Sequence, residues 1–384
     1  MALLLNNLEI DGFRGLNRLK IEKLGRVNLL VGRNNSGKTR VLDAIRVLSE
    51  RASPLVMAQI SKEHDEYYDT DGERIRTSNA DFLRYFFNDR SLPTLDDEKT
   101  IRIGDGERIE FKIHYLPFIE DRIEEDERTR LMRRFISPDE VKSLAPESTI
   151  NHSIVSTHID NNGHSSRTII AVIDDETNEL TTRSAFGITR RFETQKNHSF
   201  KFIPSSFVDH EELANLWDRI VLSDKEASVI EMMKTIDPNI TGLAFIGEGS
   251  RRDRHPVLRM TGNDPVPLVS LGDGVYRVFQ LALNLVNAQD GFLLIDEFEN
   301  GLHYSTQMNI WKFIFDFSKK LEIQVFATTH NSDCITAFAE AATNHPELGC
   351  AYHLGKSLID GTTLATRYEE NRLKELVNLG RDIR

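Results

Sequence analysis

The sequence predicts an α/β fold in which a mixed sheet, built from both ends of the chain, carries an inserted lobe that is partly antiparallel and partly helical. Short apolar strands alternate with amphipathic helices near both termini, an order that indicates parallel strands joined by helical crossovers. Between these regions the chain is polar and rich in charge. We therefore assign residues 1–50 and 271–384 to one lobe and residues 51–270 to the insertion.

The first 50 residues are predicted to form two short strands, a buried strand, a loop and a helix. Apolar and polar residues alternate at 8–10 and 19–21, as in half-buried strands. The apolar run at 26–31 is typical of a parallel sheet that is covered on both faces. The helix behind the loop is indicated by apolar residues at helical spacing, namely Val41, Leu42, Ile45 and Leu48.

The remaining elements are assigned in the same way. In the insertion, short strands are predicted at 101–103, 109–113 and 168–173. The mixed-charge run at 120–134 is predicted to be the solvated face of a helix, with a binding element as the alternative. A second helical region follows residue 201. The last third is predicted to contain, in order, a helix at 275–289, a strand at 292–295, a helix at 304–320 and a strand at 323–328.

Composition excludes several classes of protein. The chain has 384 residues, of which 39% are hydrophobic and 28% charged, as in globular proteins with a sizeable core. No apolar run approaches the roughly 20 residues of a membrane helix, and we expect no membrane association. With only two cysteines and no signal peptide, the protein is predicted to be cytoplasmic. A net charge of −12 argues against a protein whose whole surface binds nucleic acid. A local basic groove, such as one at residues 251–255, is kept as an alternative.

A phosphate-binding loop is the strongest functional signal. The pattern G-x-x-x-x-G-K-[ST] is met by Gly32, Arg33, Asn34, Asn35, Ser36, Gly37, Lys38 and Thr39. It follows a predicted strand and precedes a predicted helix, as a P-loop requires. The loop and the helix N-terminus would present N–H groups to phosphate oxygens. Lys38 is expected to reach the β- and γ-phosphates of ATP, and the Thr39 hydroxyl to ligate Mg²⁺.

Two acids follow the strand at 292–295 and supply the second half of such a site. Asp296 is expected to hold Mg²⁺, and Glu297 to polarise the attacking water, because in-line attack on a γ-phosphate needs an oriented nucleophile beside the metal. Adjacent acids after a strand are common in loops. The pair therefore indicates a catalytic site only in combination with the P-loop.

Two further elements narrow the class. Residues 270–274 (SLGDG) precede a helix and offer a second phosphate-binding surface, which we expect to serve a partner's nucleotide; the alternative is an ordinary glycine turn. His330 ends the last predicted strand. It is expected to bond a γ-phosphate or the attacking water, although a structural histidine is the alternative.

These four elements, in this order, resemble the ABC-type ATPase heads shared by SMC, RecF and OLD-like (overcoming lysogenisation defect) proteins. The resemblance is densest at 1–48 and 201–335. The segment Phe13-Arg14-Gly15-Leu16 looks like one found in RecF and OLD relatives, which implies that Arg14 contributes to nucleotide binding. The runs 295–303 and 327–332 resemble OLD-type prokaryotic ATPases, especially those of phage-defence systems.

The resemblance carries implications for assembly. Residues 270–274 correspond to the signature motif, so that Ser270 and Gly272 would contact ATP across a head-to-head homodimer or higher homo-oligomer. Asp273 departs from the usual Gln or Glu of that motif, and Asn35 replaces a common glycine, although Asn tolerates left-handed backbone. The stretch after His330 is too short for a Toprim nuclease domain, so an effector of the Toprim or HNH nuclease type is expected to be encoded separately.

The predicted function is accordingly a Mg²⁺-dependent ATPase of the ABC/OLD-like class, acting as the sensor or regulatory subunit of a prokaryotic antiviral defence complex. A RecF- or SMC-like repair ATPase that clamps DNA is the first alternative, and the net charge of −12 weakens it. The second is a scaffold that binds ATP and scarcely turns it over. A transporter subunit fits less well, because the residues between Lys38 and Ser270 exceed a transporter's helical subdomain.

Overall fold

The structure is a computed structural model that describes residues 3–66, 81–95, 97, 99–105, 110–125, 128–144, 149–159, 165–173, 180–181, 199–206, 210–247, 254–345, 347–357 and 359–368. The helices are α1 (Lys38–Ser49), α2 (Pro54–Glu63), α3 (Pro138–Ser143), α4 (His210–Asp218), α5 (Asp224–Met233), α6 (Asp273–Asn287), α7 (Tyr304–Lys320) and α8 (Ser332–Thr343).

The strands of the described residues are β1 (Leu8–Asp11), β2 (Leu19–Ile21), β3 (Val27–Val31), β4 (Thr100–Gly104), β5 (Glu110–Glu125), β6 (Arg128–Phe135), β7 (Asn151–Ile159), β8 (Ser165–Ile173), β9 (Leu180–Thr181), β10 (Phe200–Ile203), β11 (Ile240–Ile246), β12 (His255–Met260), β13 (Val266–Pro267), β14 (Phe292–Ile295), β15 (Gln324–Thr329), β16 (Gly349–Lys356) and β17 (Thr363–Tyr368). Short 3₁₀ helices lie at Asp81–Phe86 and Leu268–Leu271.

The chain forms two compact units. The first comprises Met1–Asn6, Lys23–Leu42 and His198–Arg384, and the second comprises Asn7–Glu22 and Asp43–Asn197. This division differs from the sequence-based one in where residues 7–22, 43–50 and 198–270 fall. The physical reason at the later boundary is that β10 pairs in parallel with β14, which makes residues 200–203 an edge strand of the first unit's sheet.

The first unit is built on a six-stranded mixed sheet of order β10-β14-β15-β3-β16-β17. The first five strands run parallel, and β17 is antiparallel to β16. All residues of β3, β14 and β15 are buried, as expected for strands covered on both faces. The predicted α/β class with a mixed sheet is thus confirmed.

Apolar residues of the helices form the core that covers this sheet. The cluster joins residues of α4 to α8 to the inward faces of β3, β14 and β15. Within it Phe298, just after β14, stacks on Trp311 of α7 with ring centroids 3.9 Å apart. The predicted strand at 292–295 and helix at 304–320 are confirmed at both ends.

The second unit is dominated by antiparallel strands in the order β2-β1-β4-β5-β7-β8-β9, with β6 paired to β5. The prediction of a helix face at 120–134 is wrong, because this run forms the paired ends of β5 and β6. The physical reason is visible at Glu120 and Arg133, which lie opposite each other and join through a 2.6 Å ion pair. Opposite charges facing each other across two strands stabilise a sheet as readily as i,i+4 pairs stabilise a helix. In the part of the chain described, no helix is long and apolar enough to span a membrane.

Candidate functional site

The predicted phosphate-binding loop connects β3 to α1 in the first unit. Its backbone has the unusual torsions of such a loop: φ is +65° at Asn35 and +97° at Gly37. Asn35 therefore adopts the left-handed conformation that asparagine tolerates. At Gly32 an added Cβ would lie 2.5 Å from the Leu354 carbonyl oxygen, so only glycine lets the loop approach β16 this closely.

Lys38, the first residue of α1, is folded back over the loop. Its Nζ donates hydrogen bonds to the carbonyl oxygens of Gly32, at 2.8 Å, and Arg33, at 3.0 Å. Burial lowers the pKa of Lys38, and the carboxylates of three acids after β14, Asp296 first among them, oppose that shift. The buried ammonium is held by neutral carbonyl groups, an arrangement that an anion can improve.

The metal-ligand candidates Thr39 and Asp296 are in contact. The Thr39 hydroxyl donates to the Asp296 carboxylate, with Oγ1 lying 3.1 Å from Oδ1 and 3.3 Å from Oδ2. The two residues are far apart in sequence, and the parallel pairing of β14, β15 and β3 brings them to one edge of the sheet. Carboxyl ends of parallel strands are the usual place for a ligand site in such sheets.

Thr328, in β15, is a site residue that the sequence analysis missed. Its buried hydroxyl donates to Asp296 Oδ1 at 2.7 Å and accepts the backbone N–H of Glu297 at 2.8 Å. One hydroxyl therefore fixes both the predicted metal ligand Asp296 and the predicted catalytic acid Glu297. No local sequence signal identifies it, because the contact depends on the β14–β15 register, in which Ile295 lies beside Ala327 and the next residues on each strand are neighbours.

Arg277 of α6 was also missed, and it fixes the backbone of the same two acids. Nη2 donates to the carbonyl oxygens of Asp296, at 2.9 Å, and Glu297, at 3.2 Å, while Nη1 donates to that of Pro204 at 2.6 Å. Burial lowers the pKa of Arg277 to about 10, which leaves the guanidinium charged at neutral pH. Glu297 has φ of +46°, so these bonds hold a backbone conformation that a non-glycine residue rarely adopts.

His330 lies beside a third acid, Glu299. Glu299 Oε1 accepts the backbone N–H of His330 at 3.1 Å and lies 3.2 Å from its Nδ1. The His330 side chain is 40% exposed, whereas that of Glu299 is 9% exposed, and Glu299 Oε2 is buried without a hydrogen-bond partner. The predicted site histidine is thus tethered to the loop that follows Glu297, with its ring partly open to solvent.

Residues 270–274 lead into α6, which spans Asp273–Asn287 and so begins and ends two residues earlier than the predicted helix at 275–289. Ser270 is exposed in the short 3₁₀ helix Leu268–Leu271, and Gly272 adopts φ of +91° immediately before α6. A Cβ on Gly272 would meet nothing within 4 Å, so its role is backbone conformation rather than space. A contact of Ser270 or Gly272 with a second molecule's nucleotide stays a prediction.

Arg14 belongs to the second unit, where its contacts are with acids and a ring. Its guanidinium lies 2.7 Å from Glu66 and 3.8 Å from Asp43, and 5.3 Å from the centroid of Phe86. A nucleotide-binding role for Arg14 stays a prediction.

Of the basic cluster at 251–255, residues 251–253 lie outside the described residues, and Arg254 is paired with Asp218 at 2.7 Å.

The residues around the loop fit a nucleoside triphosphate and Mg²⁺. Ser36 Oγ is buried within the loop without a hydrogen-bond partner, and the first N–H groups of any helix, here those of α1, lack intrahelical acceptors. Thr39 and Asp296 offer oxygen ligands, and Mg²⁺ typically takes one or two carboxylates together with waters and substrate phosphates. Among the described residues no group of three or more His, Cys, Asp or Glu side chains could hold a metal ion by itself.

Comparison with known proteins gives a family match over most of the chain. The family described as "AAA domain, putative AbiEii toxin, Type IV TA system" matches residues 27–333. A protein of Helicobacter pylori named "ATP/GTP phosphatase" is 21% identical over 346 residues, which cover 86% of each chain. An uncharacterized protein of Methanocaldococcus jannaschii is 38% identical over 42 residues, 11% of this chain and 19% of that protein.

Two solved SMC head structures were also found to be similar to this chain. The SMC head domain from Thermotoga maritima has a TM-score of 0.42 and 14% identity, covering 95% of this chain and 99% of that one. A Pyrococcus furiosus Smc head domain, solved bound to the C-terminal domain of ScpA, has a TM-score of 0.47 and 12% identity, covering 98% of this chain and 99% of that one.

Proposed function

Because the chain belongs to the family described as "AAA domain, putative AbiEii toxin, Type IV TA system", we propose that it is a Mg²⁺-dependent ATPase of the ABC/OLD-like class. The observation that carries the proposal is that Thr39, Asp296, Thr328 and Glu297 form one hydrogen-bonded group at the carboxyl ends of the parallel strands. It joins the metal-ligand candidates to the candidate base. The name of the Helicobacter pylori relative adds GTP as a second substrate to be tested.

Substrate binding falls to the loop and to Lys38. The N–H groups of the loop and of the first turn of α1 would receive the phosphate oxygens, and the Ser36 hydroxyl supplies one more donor. The Lys38 ammonium would exchange its carbonyl acceptors for phosphate oxygens, which is favourable because a charged acceptor makes the stronger bond.

The acids after β14 would carry out the hydrolysis step. Thr39 and Asp296 would hold Mg²⁺, which neutralises charge on the phosphate oxygens when it is bound. Glu297 would orient a water and accept its proton, from a position set by Thr328 and Arg277. His330 would donate a hydrogen bond to the γ-phosphate or to that water. Ser270 and Gly272 would act on the nucleotide of a second copy in an ATP-dependent dimer.

The test of this function is the Glu297→Gln variant. Because the amide keeps the shape of the side chain but accepts a proton poorly, we expect ATP binding to persist while phosphate release falls at least 100-fold. ATP and Mg²⁺ should then convert the variant to a closed dimer, measured by sedimentation velocity with and without nucleotide. Phosphate release at the parent rate by Glu297→Gln would refute the role of Glu297. Turnover of the parent chain at background level would favour the ATP-binding scaffold instead.

We further propose that this ATPase is the sensor or regulatory subunit of a prokaryotic antiviral defence complex, with a separately encoded nuclease effector. Two points support it: the resemblance of 295–303 and 327–332 to OLD-type ATPases of defence systems, and the family description, which names a toxin. The experiment is phage plating on cells that carry the gene with its neighbours, using Lys38→Ala as the inactive control. Equal plaque numbers with the parent and control genes would count against the defence role.

A further inference from the structure

A row of basic side chains crosses one face of the antiparallel sheet in the second unit. Residues paired directly across neighbouring strands lie on the same face, and the observed register aligns Arg102 of β4 with Lys112 of β5, Lys112 with Thr157 of β7, and Thr157 with Arg167 of β8. We call Arg102, Lys112 and Arg167 the basic row. Three strand-to-strand steps make it about 14 Å long.

The charges of the basic row are not neutralised by the sheet. Arg102 and Arg167 are exposed and Lys112 is half-buried, and no ion pair to a carboxylate is formed by any of the three within the described part of the chain. Asp11 lies opposite Arg102 in register, and its Oδ1 accepts the backbone N–H of Arg18 at 3.2 Å. Like charges placed opposite each other, as in Arg102 and Lys112, destabilise a sheet, so a ligand of opposite charge would relieve them.

The pKa of a histidine next to the basic row is affected by the charges of that row. His114 of β5 lies on the same face, with its Nε2 3.0 Å from the Thr157 hydroxyl oxygen. Burial, together with the charges of Lys112 and Arg167, lowers the pKa of His114 to about 4. His114 is therefore neutral at physiological pH and adds a hydrogen-bonding group without adding to the repulsion.

Apolar surface adjoins the cations on the same face. The Arg167 guanidinium lies 5.9 Å from the centroid of the Phe135 ring. Phe135 and Leu116 are only partly buried, and they pack on a small cluster formed by Phe118, Val155 and Ile169. Cations beside partly exposed apolar side chains suit a ligand that carries both phosphates and flat apolar groups.

We propose that the basic row binds the backbone phosphates of a single nucleic-acid strand, whose bases lie against Phe135 and Leu116. A duplex offers phosphates of the same charge, but its bases are stacked and paired, so their faces are unavailable to this apolar surface. The row consists of residues of the second unit only. The proposal names no residue of the ATP site, so it can be tested without ATP and is judged separately from the proposed ATPase.

Fluorescence anisotropy of a labelled 20-nucleotide oligo-dT, titrated with the full-length chain without ATP, tests the proposal. Three neutralised phosphates on a single strand give a slope of log K against log salt of about −2, which is a loss of roughly 20-fold between 50 and 200 mM salt. The variant Arg102→Gln/Lys112→Gln/Arg167→Gln should bind at least tenfold more weakly at 50 mM, with a slope near zero.

The matched control removes the same charge elsewhere in the second unit. Arg84, Arg134 and Lys142 are exposed and each lies near an acid, so changing all three to Gln should alter the affinity less than twofold. The single variant Lys112→Gln, with a slope reduced by about 0.7, keeps the test valid if the triple variant melts early. The proposal is overturned if the control loses as much affinity as the basic-row variant, if that variant binds like the parent, or if a duplex of equal length competes as well as the strand.

Discussion

Replacing Thr328 by Val is predicted to slow ATP turnover far more than it weakens ATP binding. The side chain is fully buried, and Val has nearly the same shape, so the change removes little except the hydroxyl. Two hydrogen bonds disappear, to Asp296 Oδ1 and from the Glu297 N–H. A bond to a charged group contributes about 1.5–3 kcal/mol and a neutral one about 0.5–1.5 kcal/mol, so the total is about 2–4 kcal/mol.

This loss divides between folding and catalysis. If half of it falls on the transition state, kcat decreases by about 5- to 30-fold, because the backbone of Glu297 is left without one of its anchors. The Kd for ATP should stay within threefold, since Lys38 and the phosphate-binding loop keep their contacts. Steady-state phosphate release gives kcat, equilibrium titration with ATP gives the Kd, and urea unfolding gives the stability, so the three quantities are measured separately.

Two control variants separate the effect of losing the Thr328 hydroxyl from other effects of the substitution. Thr328→Ser retains it and should keep kcat within threefold of the parent. Thr329→Val removes a neighbouring buried hydroxyl that accepts the Asn331 backbone N–H at 3.0 Å, so it should cost stability and leave kcat nearly unchanged. A Thr328→Val variant with kcat within twofold of the parent would refute the claim that this hydroxyl positions the acids.

Three further predictions follow from single residues. Asn35→Val should destabilise the protein by about 1–2 kcal/mol, because φ is +65°, whereas Asn35→Gly should shift the melting temperature little. Burial and neighbouring cations lower the pKa of His114 to about 4, so between pH 6.5 and about 4 the unfolded chain binds a proton that the folded chain does not, and stability should fall as pH drops. Urea unfolding at pH 7 and pH 4.5 should show a fall smaller by about 1 kcal/mol in His114→Gln, after allowance for partial exposure. Glu299→Gln should lower kcat without changing the Kd for ATP, and adding His330→Gln should lower it little further, as both changes disturb one pair.

The parts of the fold that the sequence predicted correctly are those with one dominant signal. The strand at 292–295 and the helix at 304–320 were predictable because each is indicated by one clear pattern. The strand is indicated by an apolar run and the helix by apolar residues at helical spacing. The run at 120–134 carries charges of both signs, and these can pair along a helix or across two strands. Only the partner strand decides between the two, and a local pattern does not contain it.

The same reasoning explains which site residues were found. The P-loop and the acids after β14 follow from motifs, because their spacing within the chain is fixed by one loop or one strand end. Thr328 and Arg277 act through contacts between elements: the first depends on β15 lying beside β14, and the second on α6 reaching the carbonyl groups after that strand. Neither neighbour relation is written in local sequence.

The hydrogen bonds of Lys38 and Arg277 explain how three acids can share the edge of one sheet. Both cations have their pKa lowered by burial, and for both the carboxylates of Asp296, Glu297 and Glu299 act against that shift. Yet the hydrogen bonds of Lys38 and most of those of Arg277 go to backbone carbonyl oxygens. The acids thus gain positive charge nearby, while Asp296 is bonded by the hydroxyls of Thr39 and Thr328. A hydroxyl can rotate to turn its lone pairs toward a cation, whereas an arginine paired directly with the carboxylate would have to be displaced before Mg²⁺ could bind.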